Sequence, residues 1–128
     1  MDRARFEQLV GKAVDALPQE FLDRLENVEI VVQDMPTTEQ LRQSGTGRGY
    51  TLLGLYEGIP ITERGQGYGL VAPDKISIFR RPIVTKCRQE SIDIADEIGA
   101  VVRHEISHHF GISDERLDEL ERLRGERE

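Results

Sequence analysis

The chain has 128 residues, the length of one domain with a single compact core, and we expect no domain boundary within residues 1–128. Its net charge of −7 would be repelled by phosphate backbones and anionic lipids, which argues against nucleic acid and membrane partners. A single cysteine, Cys87, excludes a disulfide within the chain and fits a reducing compartment.

The first quarter of the sequence predicts two helices and a strand. Apolar residues recur at three- and four-residue spacing over residues 3–16, as on one face of an amphipathic helix. Pro18 suits the first position of a shorter helix that extends to Leu25. Residues 28–32 are rich in β-branched side chains and predict the first strand.

The middle of the chain predicts two further strands. A polar loop spans residues 34–49, with a turn of helix at 37–43, and a strand follows at 51–57. Residues 74–80 alternate apolar and polar side chains, as a half-exposed strand does. Because one face of this strand is polar and Pro82 follows it, we expect it at an edge of the sheet.

The last part of the chain predicts mainly helix. A short helix at residues 83–89 precedes a long one, for which Ser91 is the predicted N-cap. An apolar stripe of helical spacing leads from this cap to His104. After a glycine turn, a final amphipathic helix is predicted at residues 115–124.

The long helix carries the sequence His-Glu-Ile-Ser-His at residues 104–108. Residues four apart on a helix differ by about 40° of rotation and one turn, so His104 and His108 can reach one metal ion. Zinc in a hydrolytic site takes three protein ligands and keeps one position open for water. Such a pattern also arises by chance on amphipathic helices, where it is simply two partly exposed histidines.

The motif glutamate and the residues that follow the motif supply the other groups that a hydrolytic zinc site needs. Gly111 can take positive φ, end the helix and turn the chain back, which makes Asp114 the natural third ligand. Glu105 projects beside the metal, where it can take a proton from water whose pKa zinc lowers to about 7. The pattern predicts metal-assisted hydrolysis, for which the usual substrate is a peptide bond.

The sequence resembles the zincin fold and is similar to the bacterial minimal zincin-like metallopeptidases. The similarity covers nearly the whole chain and rests on residues 53–60, 73–80 and 103–114. It implies an α+β fold in which a small mixed sheet packs against helices, one of which carries the motif. In zincins the edge strand lies along the cleft and pairs with extended substrate, which assigns residues 76–79 to that role.

By the same resemblance the zinc ligands are His104, His108 and Asp114, with Glu115 as the rival for the third position, and Glu105 is the base. We therefore expect a monomeric, cytoplasmic zinc metallopeptidase that acts on peptides or proteins. The first alternative is a zincin-like metal-binding protein with little or no catalysis, an interaction or regulatory module, which the small size favours. The second is a metal-dependent nuclease, because a ribosomal-RNA maturation family spaces its histidines similarly, but the motif glutamate and the acidic charge argue against it.

Other polar residues carry separate predictions. His109 lies about 100° around the helix from His108 and is expected to be partly exposed, outside the metal sphere. Tyr56 and Tyr68 are expected to pack rather than to stabilise an oxyanion. The arginines at 80 and 81 either form a solvated strand end or bind a substrate carboxylate, and Cys87 is expected to be a buried apolar residue rather than a nucleophile.

Overall fold

The computed structural model describes residues 1–23, 25, 28–44, 52–58 and 74–111, together with Arg116, Glu119 and Arg122. The elements of these ranges follow the order α1 (Arg3–Asp15), α2 (Gln19–Leu22), β1 (Val28–Gln33), α3 (Thr38–Gln43), β2 (Gly54–Glu57), β3 (Asp74–Phe79), α4 (Arg80–Glu90) and α5 (Ile94–Phe110). The predicted α+β class is confirmed, since α5 packs against both β2 and β3 of a small mixed sheet.

The N-terminal helices cover one side of α5. Asp2 caps α1 by accepting a hydrogen bond from the backbone N–H of Arg5, and the buried face of α1 packs toward α5. Pro18 is the N-cap of α2 and not its first helical residue, because its ψ of 139° is extended. The ring of Phe21 in α2 stacks on Phe110 with centroids 5.0 Å apart, which fixes α2 near the end of α5.

The sheet has the strand order β1-β3-β2, with β1 parallel and β2 antiparallel to β3. The prediction that residues 74–80 form an edge strand is wrong, because β3 is the central strand of the described sheet. Its polar residues Asp74 and Ser77 are buried, although the alternating pattern had suggested a solvent-facing side. Within the described ranges β2 is an edge strand, and it lies beside α5.

A tight turn joins α4 to α5. Ser91 has φ of 55°, in the left-handed region, and is the C-cap of α4, so the prediction that it is the N-cap of the long helix is wrong. Asp93 is that cap: its carboxylate accepts a hydrogen bond from the backbone N–H of Asp96 at 3.1 Å. A negative charge is also favourable at this end of the helix dipole.

The core anchors α5 to the sheet along its inner face. Ile98, Val102 and Ile106 of α5 are buried in one hydrophobic cluster with Ile76 and Ile78 of β3. Burial of an aliphatic side chain contributes about 1.5–3 kcal/mol, so these contacts fix the helix firmly. The motif at residues 104–108 therefore lies on a helix whose rotation is set by the core.

Two sequence predictions fall on other parts of the chain. The last residues of the predicted polar loop, 45–49, lie outside the described residues, as does the predicted helix at 115–124 apart from Arg116, Glu119 and Arg122, which are helical. None of the described helices combines the length and the hydropathy that a membrane-spanning helix needs.

Candidate functional site

His104 and His108 lie side by side near the end of α5. Their ring centroids are 4.6 Å apart, and their side chains are 46% and 47% exposed. This is the arrangement that the four-residue spacing predicts, since both rings project from one face of the helix into solvent. Their role as metal ligands stays a prediction.

Glu105 lies between these imidazoles and the protein interior. Its side chain is 7% exposed, with Oε1 3.6 Å from Nδ1 of His108 and Oε2 4.0 Å from Nε2 of His104. A carboxylate in this position is sheltered from bulk water and remains within reach of a water molecule held beside the two rings. The geometry agrees with the predicted base, whose role stays a prediction.

Gly111 ends the motif helix as the sequence predicts. Its φ is 66°, and its N–H bonds to the carbonyl groups of Ser107 and His108, which turns the chain out of the helix. Asp114 and Glu115, the two candidates for the third ligand, lie outside the described residues. Among the residues that are described, no three His, Cys, Asp or Glu side chains form a group that can hold a metal ion.

β2, an edge strand of the described sheet, lies beside the motif helix at Glu105. A Cβ atom on Gly54 would lie 2.7 Å from Cγ1 of Val101 and 3.1 Å from Cγ of Glu105. The backbone of β2 therefore touches α5 at the candidate base, an approach that only glycine permits. The cleft-edge role assigned to residues 76–79 by resemblance is wrong, because β3 is paired on both sides.

A buried polar network lies directly behind the motif. Oδ2 of Asp74 accepts a hydrogen bond from the hydroxyl of Tyr56 at 2.6 Å and lies 2.7 Å from Nδ1 of His109. Asp74 and His109 are both almost completely buried, so the prediction that His109 is partly exposed is wrong. A Cβ atom on Gly58, the residue after β2, would clash with Oδ1 of Asp74, so the chain closes over this carboxylate where β2 ends.

This network joins the three elements that form the site. Tyr56 comes from β2, Asp74 from β3 and His109 from α5, and the Tyr56 ring meets the His108 ring edge-on at a centroid distance of 6.4 Å. Tyr56 commits its hydroxyl proton to Asp74, which agrees with the predicted packing role. Tyr68 lies outside the described residues.

One sequence signal pointed to the burial of His109. The apolar stripe of α5 runs through Ile98, Val102 and Ile106, and His109 continues it at a spacing of three residues. The stripe places His109 on the buried face of α5, whereas its neighbour His108 lies on the exposed face. Asp74 is 35 positions from His109 along the chain, and Tyr56, which donates to the same carboxylate, is 18 positions from Asp74, so local patterns do not reveal this network.

The structure also shows the surroundings of Arg80 and Cys87, two further residues for which the sequence suggested alternative roles. Arg80 bonds through Nε to Asp34 at 2.9 Å and through a terminal nitrogen to the carbonyl of Met1, so it links chain segments at the end of β1. The hydrogen bond from Arg80 lowers the pKa of Asp34 below its ordinary value of 3.8. Cys87 is buried, as predicted, and this burial raises the pKa of its thiol, which disfavours the nucleophilic thiolate.

An open cavity of about 340 Å³ adjoins His104 and Glu105. One side is the start of β2 with the residues before it, and the other side is the outer face of α5. Its lining consists of Leu52, Leu53, Gly54, Glu97, Ala100, Val101, His104 and Glu105. The cleft is mainly apolar, and its lining includes one imidazole, that of His104, and the carboxylates of Glu97 and Glu105.

Comparison with known proteins adds one finding. A family model described as zincin-like metallopeptidase matches residues 25–123, well over half of the chain. The match includes the motif helix and all three strands of the sheet. No curated protein matches the chain significantly.

Proposed function

The chain belongs to the zincin-like metallopeptidase family, and from that premise we propose that it is a zinc-dependent peptidase acting on peptide or protein substrates. His104 and His108 would hold the zinc ion, with Asp114 as the proposed third ligand and Glu105 as general base. When bound, zinc supplies a positive charge that acidifies water and polarises a carbonyl group.

One observation carries this proposal. The rings of His104 and His108 lie 4.6 Å apart on an exposed helix face, and the carboxylate of Glu105 lies within 4.0 Å of both. Imidazole nitrogen is a ligand that zinc accepts, so the described residues supply two of the three protein ligands that a hydrolytic zinc site needs. Gly111 turns the chain out of the helix three positions before Asp114 in the sequence.

Glu105 performs the proton transfers in the proposed reaction. Its carboxylate accepts a proton from the attacking water and delivers it to the nitrogen of the departing amine. Such a positioned acid–base group typically contributes about 10²- to 10⁴-fold to the rate. The close approach of Gly54 to Glu105 restricts the carboxylate to the cleft, which supports this role.

The substrate backbone is proposed to pair with β2. β2 touches the motif helix at Gly54, next to Glu105, so an extended peptide bound along this strand lies beside the candidate base. An extended chain bound there passes over the outer face of α5, next to His104 and Glu105. This assigns to β2 the role that the resemblance had given to residues 76–79.

Substitution of Glu105 by glutamine tests the proposal. We expect hydrolysis of quenched-fluorescence peptides to fall by about 10²- to 10⁴-fold while zinc binding persists, because glutamine keeps the shape of the side chain but cannot accept the proton. Glu20→Gln is the matched control, since Glu20 is an exposed glutamate on α2. Equal hydrolysis by the wild type and the Glu105→Gln variant contradicts the assignment of the base.

The same experiment separates the alternative function. A zincin-like interaction module binds zinc but shows no hydrolysis above background in the wild type. The measurement therefore compares peptide turnover and bound zinc in the same preparations, and turnover that depends on Glu105 is the result that the peptidase proposal requires.

A further inference from the structure

The cavity beside the motif has apolar walls. We call it the Leu53 pocket and define its walls as Leu52, Leu53, Ala100 and Val101. Its volume of about 340 Å³ is at the small end of the range for ligand sites, about 300–1,000 Å³, which suits one large side chain. Because it adjoins Glu105, a side chain seated there belongs to a residue close to the bond that is cut.

Two acidic residues also line this pocket: Glu105 at the motif and Glu97. Glu97 precedes His104 by seven residues on α5, about 10 Å along the helix axis, so its carboxylate lies toward the far end. The side chain of Glu97 is only 10% exposed. An unpaired carboxylate at the end of an apolar pocket would select a lysine or arginine side chain, whose stem fits the walls and whose charge fits the acid.

Lys86 of α4 already takes the place of such a substrate cation. Its Nζ lies 3.1 Å from each carboxylate oxygen of Glu97, and its side chain is 33% exposed. An ion pair of this kind cancels the charge that the pocket would otherwise present. Because Glu97 is paired in this way, a second cation at its end of the pocket would find the charge of Glu97 already neutralised by Lys86, which lies behind the pocket wall.

We propose that Lys86 is a specificity-determining residue: by neutralising Glu97, it makes the Leu53 pocket accept an uncharged apolar substrate side chain and reject lysine. This inference rests on the proposed function for the peptide nature of the ligand. It concerns the choice of side chain and not the chemistry of hydrolysis.

Peptide binding to the zinc-loaded Glu105→Gln protein tests this without turnover. The probes are fluorescent peptides of glycine and serine with a single methionine or lysine, since these two side chains are unbranched and of similar length. We expect the methionine peptide to bind at least about tenfold more tightly than the lysine peptide. In the Lys86→Met variant the lysine peptide should gain at least about tenfold, while Lys12→Met, at an exposed site on α1, should change neither affinity.

A second pair of variants keeps the test informative if Lys86→Met folds poorly. Ala100→Trp fills the pocket from an exposed position, and Ala95→Trp places the same side chain elsewhere on α5. Only Ala100→Trp should weaken binding of the methionine peptide.

Three results would overturn the inference: equal binding of the two peptides to the parent protein, equal binding of the methionine peptide by both tryptophan variants, or no measurable binding. If the wild type hydrolyses peptides without any side-chain preference, this inference is wrong and the peptidase proposal stands. If the peptides bind in the expected pattern but are not hydrolysed, the peptidase proposal is wrong and the choice of side chain by the pocket stands.

Discussion

Asp74 illustrates how one buried residue can order a site that it does not enter. Its carboxylate bonds to Tyr56 of β2 and lies in hydrogen-bond range of His109, the residue that follows His108. Burial of a carboxylate is costly unless hydrogen bonds compensate for lost water, and these two contacts provide that compensation. The network therefore ties the cleft strand and the motif helix to the centre of the sheet.

Replacement of Asp74 by alanine should destabilise the fold strongly. The change leaves the ring of His109 and the hydroxyl of Tyr56 without this acceptor, and we expect a loss of about 2–4 kcal/mol in the free energy of unfolding. Urea titration measures it, with Asp15→Ala at an exposed position of α1 as the control. A loss for Asp74→Ala no greater than that for Asp15→Ala would show that the network contributes no stability.

At the scale of elements, the contact between β2 and α5 depends on Gly54, because glycine has no side chain to hold the strand away from the helix. Gly54→Ala should force the strand away from Val101 and Glu105, costing about 1–3 kcal/mol and lowering peptidase activity. Gly11→Ala is the matched control, because a Cβ atom there meets nothing within 4 Å and alanine favours helix by up to about 1 kcal/mol. Unfolding and activity measurements on both variants check this, and a Gly54→Ala protein as stable and active as the wild type would refute it.

The elements themselves were largely predictable, because hydrophobic periodicity is a local signal. The helix at residues 3–16 and the strand at 28–32 appear as α1 and β1 within a residue or so. The junction before α5 was predicted less well, since Ser91 and Asp93 are both residues that cap helices. The left-handed turn at the end of α4 decided between them, and a single sequence does not show that turn.

The order of the strands was not predictable from local pattern. Asp74 and Ser77 gave β3 the alternation of an edge strand, yet both are buried. Asp74 is compensated by Tyr56 and His109, which are distant in sequence, so its polarity reflects an internal network and not contact with water. The motif needed no such information, because the relation of His104 to Glu105 and His108 follows from helix geometry alone.

At the scale of the whole molecule, arginine hydrogen bonds link the N-terminus and the end of β1 to the start of α4. Arg80 bonds to both Asp34 and the carbonyl of Met1, and Arg3 bonds to the carbonyl of Val32. The hydrogen bond from Arg80 keeps the pKa of Asp34 below 3.8. A carboxyl group with a lowered pKa stabilises the fold above its ordinary pKa, and this stabilisation is lost as the pH falls through the lowered value.

Asp34→Asn should therefore lower Tm at neutral pH and lose this effect in acid. The difference in Tm between the wild type and the variant should shrink toward zero as the pH falls from about 6 to below about 3, because protonated Asp34 no longer attracts Arg80. Thermal unfolding across this range measures it, with Asp15→Asn as the exposed control. A difference that is constant with pH would contradict the assigned cause.

The central claim is that His104 and His108 hold one catalytic zinc ion, and zinc content tests it most directly. The protein is purified without a histidine tag, and its bound metal is compared with that of the His104→Ala and His108→Ala variants, whose folding is checked by circular dichroism. Both side chains are half-exposed, so alanine should leave the fold intact. We expect stoichiometric zinc in the wild type and its loss from both folded variants; zinc retained equally by all three proteins would contradict the account.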